Sequence, residues 1–149
     1  MKYQRGFLIL AVVFGLVVGL SSCTKPAAPP EDPNAKAKIL AQAAAQDWLA
    51  LLDNGTFDTG WEDMTTAAKS ATTKDEWVNA TKGVRTPLGA VKNREVMTNK
   101  YLDTLEGMPA GAAIVVEFGT TFENKEDAFE TVTLQMDGDA WKVARYVTE

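Results

Sequence analysis

IVVEFGTTFENKEDAFETVTLQMDGDAWKVARYV, residues Ile114–Val147, alternates apolar and polar positions between turn-forming residues, and its reading decides the fold. Ile114, Val116, Phe118 and Phe122 share one face of a predicted strand. A second strand, Ala128 to Met136, puts Val132, Leu134 and Met136 on one side, and Trp141, Val143 and Val147 return along a third. Asp137-Gly138 between the last two is a strong hairpin signal. Upstream, the turn Gly107-Met108-Pro109-Ala110-Gly111 separates this region from a longer, more polar strand predicted over Val91 to Leu105.

Before Gly89 the apolar period is near four instead of two. Leu40, Ala44, Trp48 and Leu51 or Leu52 recur at helical spacing between Ala35 and Asp53, with Asn34 as N-cap and Asp53-Asn54-Gly55 as the stop. Asp58 is placed to cap a shorter helix carrying Trp61, Met64 and Ala68. Thr73-Lys74-Asp75-Glu76 has capping-box spacing and opens a third helix with Trp77, Ala80 and Val84 inward, ended by Pro87 and Gly89. Helices followed by strands predict an α+β domain over residues 35–149: three N-terminal helices packed on a curved sheet of about four antiparallel strands. The four Trp are expected in the core; a closed cup filled by Trp61, Trp77 and Phe118 favours an interaction module, and an open cavity with a buried carboxylate or Arg favours a ligand site.

The last hairpin carries a pairing argument. With Asp137-Gly138 in the turn, Leu134 faces Trp141, Val132 faces Val143 and Glu130 faces Arg145. A turn one residue onward, at Gly138-Asp139, keeps the parity and leaves Glu130 and Arg145 diagonal neighbours. A charge on that apolar face must pair or reach an edge, so a Glu130–Arg145 ion pair is expected. The same parity sends Tyr146 to the opposite face from Glu130.

The N-terminus reads as an address. Lys2 and Arg5 precede the apolar run Phe7–Leu20, followed by Ser21, Ser22 and Cys23, which is the organisation of a secretory signal. The run has 14 residues and would span only about 21 Å as a helix, against a hydrocarbon core of roughly 30 Å. Leu20-Ser21-Ser22-Cys23 resembles a bacterial lipobox, which implies a signal peptide over residues 1–22, cleavage between Ser22 and Cys23, and a membrane anchor on lipidated Cys23. Thr24 follows that Cys where Asp would resemble an inner-membrane retention signal, so an outer-membrane protein facing the periplasm is expected. Four of the six prolines lie in Thr24–Asn34, so residues 23–34 read as lipidated Cys and semi-rigid linker. Its 11 residues after Cys23 reach up to about 34 Å at about 3.1 Å each.

Composition excludes more than it assigns. The chain of 149 residues has no His, which removes Ser-His-Asp and Cys-His catalysis and His-ligated zinc. One Cys forms neither an internal disulfide nor a CxxC site. A net charge of −5 with scattered basic residues argues against a nucleic-acid partner. Glu123, Glu126 and Asp127 cluster around Lys125 without EF-hand spacing and read as a solvated turn, so neither a metal site nor a cofactor is expected. Proton transfer by a carboxylate beside a Tyr needs Glu130 and Tyr146 on one face, which the parity denies. A non-catalytic protein is therefore expected, with an envelope protein or a small molecule as partner. Arg85 and Arg94 bracket Thr86-Pro87-Leu88-Gly89, where they either present two guanidiniums to a carboxylate or phosphate ligand or anchor the turn internally.

Trp48…Asp53-x-Gly55-x-Phe57-x-x-x-Trp61, then Trp77…Arg85-x-Pro87-Leu88-Gly89…Arg94, then Glu130-Thr131-Val132…Asp137-Gly138…Trp141-x-Val143-x-x-Tyr146 resembles the uncharacterised family labelled domain of unknown function 4019, over Ala35 to Glu149. The resemblance implies a secreted or lipid-anchored bacterial protein with a cone-shaped fold like nuclear transport factor two, and no established activity. This chain has Arg145 where the family tends to have Gly before the final Tyr. A Glu at 130 throughout the family would then answer another cation, Arg85 or Arg94.

Overall fold

A computed structural model describes residues 31–149. The expected signal peptide, Ser22–Cys23 cleavage, lipidation of Cys23 and linker up to residue 30 lie outside the described residues. Among those described, no helix is long and apolar enough to cross a membrane.

Helix α1 spans Ala35–Asp53, as its periodicity predicts, but Asn34 makes no side-chain cap. Asp32 serves instead, its carbonyl accepting from the Ala35 N–H at 3.0 Å and its carboxylate from the Asn34 N–H at 2.9 Å. The buried stripe is Ala41, Ala45, Trp48, Leu49 and Leu52: Trp48 and Leu52 are buried as expected, while Ala41 and Ala45 take the places expected of Leu40 and Ala44, and Leu40 faces solvent. Two alanines with no exposed surface let the helix lie close against the sheet.

The helix expected after Asp58 is two helices, α2 (Phe57–Glu62) and α3 (Thr66–Ala71), so among the described residues four α-helices precede the sheet instead of three. The break has a backbone cause. Met64 bridges to Val143, and the Thr65 N–H donates to the Val143 carbonyl at 2.9 Å, so that donor bonds to the sheet and leaves the helical ladder, while the Met64 N–H still reaches the Trp61 carbonyl at 3.1 Å. Thr65 then caps α3 by accepting from the Ala68 N–H. In α4 (Lys74–Arg85) the predicted capping box forms between Thr73 and Glu76. Its inward stripe is Trp77, Thr81 and Arg85, while Ala80 and Val84 face out. A 3-10 turn, Thr86–Leu88, and Gly89 at φ 77° lead into the sheet.

Strands β1 (Val91–Leu102), β2 (Ala113–Phe122), β3 (Ala128–Asp137) and β4 (Ala140–Thr148) form an antiparallel sheet in the order β1-β2-β3-β4. Register shifts between Val91 and Asn93 and between Val96 and Thr98 explain why β1 has no clean alternation. The final hairpin turns at Gly138-Asp139, because Asp137 pairs with Ala140 and Leu134 with Val143. Beyond that point Thr133 pairs with Arg145, skipping Ala144. One inserted residue reverses the parity of the rest of the strand. Arg145 and Val147 therefore move to the face away from the helices, and Tyr146 moves in beside Val132. The expected Glu130–Arg145 pair does not form: Glu130 lies opposite Thr148, and Arg145 is exposed.

The helices cover the inner face. Trp48, Leu49, Leu52, Trp61, Ile114, Val116, Phe118, Val132, Leu134 and Val143 make one core, with Trp77, Trp141 and Tyr146 partly buried against it. Trp48 packs edge-on to Trp77 at 6.0 Å and to Tyr146 at 5.4 Å, and its indole N–H donates to the Gly60 carbonyl. Two glycines, one within α4 and one after the 3-10 turn, test this backbone. Gly83 is helical with open space where a Cβ would sit, so Gly83→Ala is expected to raise stability by about 0.5–1 kcal/mol. Gly89 has φ 77°, and a Cβ there would lie 2.9 Å from the Cβ of Glu123. Gly89→Ala is expected to cost more than about 1 kcal/mol, and opposite shifts of the urea midpoint check both.

Candidate functional site

Glu130 is 0% exposed, on the helix-facing side of β3. A carboxylate there needs cations and donors within reach. Cations arrive from two elements. Arg85, 4% exposed, comes from the last turn of α4, and Arg94 comes from β1, opposite Thr120. The last residue of α1 supplies a second carboxylate, Asp53.

The geometry is closed and reciprocal. Glu130 Oε2 accepts from Arg94 Nε at 2.8 Å and from Thr120 Oγ1 at 2.7 Å. Glu130 Oε1 accepts from the Tyr146 hydroxyl at 2.7 Å, with Arg85 Nε at 4.0 Å. Arg94 turns its other edge to Asp53, donating from Nη1 to Oδ2 at 2.7 Å and from Nη2 to Oδ1 at 2.9 Å. Arg85 Nη2 also donates to Asp53 Oδ1. The Arg85 guanidinium lies over the Phe122 ring, 4.4 Å from its centroid. Two carboxylates and two guanidiniums cancel, so the cluster is formally neutral.

Electrostatics follow from the packing. Burial pushes the Tyr146 phenol far above its ordinary value, the Glu130 charge and hydrogen bond push it further, and Arg85 opposes them. Burial works to lower the Arg94 pKa, but the Asp53 hydrogen bond and the charges of Glu130 and Asp53 outweigh it, and the net direction is up. Asp53 closes a helix whose carbonyl end disfavours a negative charge, an unfavourable placement that two arginines offset.

Of the predicted site residues, Arg85, Arg94 and Glu130 come together, as the family resemblance implied, and Arg145 does not join them. Asp53, Thr120 and Tyr146 complete the cluster and were missed by reasoning from sequence. An acid at the end of a helix was the available signal for Asp53. The Glu130–Tyr146 pairing that parity denied does exist, because the bulge in β4 restores it. The cavity touching the cluster, about 160 Å³, is lined by Leu52, Asp53, Gly55, Phe57, Arg85, Thr86 and Gly89, and not by Glu130 or Tyr146. Arg85 Nε and Nη1 are buried without hydrogen-bond partners. Glu123, Glu126 and Asp127 are exposed, and no group of three His, Cys, Asp or Glu among the described residues is placed to hold a metal ion.

Chemically the cluster is a clamp joining the ends of α1 and α4 to β1, β2, β3 and β4. Arg94→Met leaves Glu130 and Asp53 short of a cation and is expected to cost about 3–5 kcal/mol. Arg145→Ala is expected to stay within about 0.5 kcal/mol, both read from denaturant unfolding. Tyr146→Phe removes a hydrogen bond to a charged group and is expected to cost about 1.5–3 kcal/mol near neutral pH. The raised Tyr146 pKa contributes stability that is fully present below about pH 10, where an unfolded tyrosine ionises. That contribution is lost as pH rises further, so the gap between parent and Tyr146→Phe is expected to narrow above that pH.

No curated protein and no solved structure matches the chain. A family described as "Protein of unknown function (DUF4019)" matches residues 44–146, more than half of the chain. The matched span runs from within α1 to Tyr146 and holds every member of the clamp. The chain belongs to this DUF4019 family of proteins of unknown function.

Proposed function

We propose that this chain is a lipid-anchored protein of the bacterial cell envelope, on the outer membrane facing the periplasm, whose single domain is a non-catalytic binding or interaction module. Its fold is read as a cone of the nuclear-transport-factor-two kind, with helices on one face of a sheet whose edge strands are bulged. One observation carries the non-catalytic reading. The space between sheet and helices is filled by Trp48, Trp61, Phe118 and the partly buried Trp77, and the charges inside it neutralise one another. The address rests on Leu20-Ser21-Ser22-Cys23 behind a basic and then apolar leader. Mass spectrometry of the protein from envelopes is expected to find residues 1–22 removed and Cys23 acylated; an intact Met1 or an unmodified Cys23 overturns the anchor.

A second reading, a carrier or pocket enzyme for a small carboxylate, draws on the two unpartnered Arg85 nitrogens and the adjoining cavity of about 160 Å³. Calorimetric titration with a panel of small carboxylates separates the two. The first reading expects no saturable heat and no turnover. Saturable binding that Thr86→Leu abolishes in a folded protein moves the assignment to a carrier, and turnover moves it to an enzyme.

A further inference from the structure

Helix α1 is apolar on two sides, and only one of them meets the protein. Ala41, Ala45, Trp48, Leu49 and Leu52 face the sheet. On the opposite side Ile39 is 69% and Leu40 51% exposed, with Lys36 and Ala43 exposed beside them. Positions 36, 39, 40 and 43 lie on one helical face. Farther along, the same face carries Gln46 and Asp47, so the apolar surface is confined to the N-terminal half.

That half adjoins the residues that lead to the anchor. We propose that the N-terminal half of α1 rests on the lipid surface, with Ile39 and Leu40 entering the boundary between headgroups and acyl chains and Lys36 among the headgroups. The inference rests on the anchor at Cys23. Eleven residues separate Cys23 from Ala35, and a tether of that length, even extended at about 3.1 Å per residue, keeps α1 within roughly 34 Å of the bilayer. Within that reach even a small apolar face is presented to lipid at high effective concentration. Charge permits the approach: Asp32 is held by Lys38 at 2.7 Å, and Lys36 makes no ion pair among the described residues. An apolar helical face beside a free lysine suits an interfacial helix.

The mature chain from Cys23 onward can be coupled through its one thiol to maleimide lipid in phospholipid nanodiscs containing a gadolinium-chelating lipid. Methyl resonances of Ile39 and Leu40 are expected to broaden several-fold more than that of Met136, which is also exposed but lies on β3. Replacing Ile39 and Leu40 together by Ser is expected to remove that preference without moving the urea midpoint. Equal broadening at all three sites describes a domain swinging freely on its tether and overturns the proposal. So do Ile39 and Leu40 contacts with a second copy or with residues 24–30. Because the thiol is coupled chemically, failure here is distinct from failure of acylation, which mass spectrometry of the native protein decides.

Discussion

A wholly buried glutamate sets the terms for the rest of this structure. Left alone beside Phe118 on the buried face of the sheet, the Glu130 carboxylate would make the fold untenable, since an isolated charge in such surroundings costs far more than a domain's net stability. Its partners come from β1, β2, β4 and α4, and those partners recruit Asp53 from α1. Elements far apart in the chain must therefore arrive together. Truncating one member uncompensates the others, whereas replacing the whole set with apolar residues removes the constraint along with the charge.

The β4 bulge is what lets the last strand take part. Without it Arg145 would face the core and Tyr146 would face outward, and the cluster would gain a third guanidinium and lose a hydroxyl donor. With Asp53, Arg85 and Arg94 already balancing Glu130, an inward Arg145 would leave an excess positive charge in the interior. A neutral donor that completes Glu130 Oε1 suits the site better, and the skip at Ala144 supplies it. The bulge also bends an edge strand next to the segment where Met64 and Thr65 dock, which blunts that edge against pairing with another chain.

The same economy of charge bears on function. The cluster holds the most concentrated chemistry in the domain, yet its acids and bases are committed to each other and its carboxylate is sealed from solvent. What the molecule offers its surroundings is surface: the solvent-facing first half of α1, and a sheet face carrying exposed Met97 and Phe129.

Local chemistry made much of this legible from the amino acids. Periodicity decided the α+β class, the full extent of α1 and the antiparallel succession of strands; the Thr73 capping box marked the start of α4, and the inward alternation of Ile114, Val116, Phe118 and Phe122 held. Each of these depends on residues within a few positions of one another. The sequence also marked Arg85, Arg94 and Glu130 as charges in need of partners. Which partners they find was decided only in three dimensions. An inserted residue in β4 leaves no trace in an apolar–polar pattern, yet it exchanges Arg145 for Tyr146. The stripe of α4 keeps Trp77 but runs on through Thr81 and Arg85 in place of Ala80 and Val84, and Arg85 reaches Asp53. The helix breaks at Thr65 because β4 offers its N–H a bond. In each case a long-range electrostatic or hydrogen-bonding demand outweighed a local preference worth less.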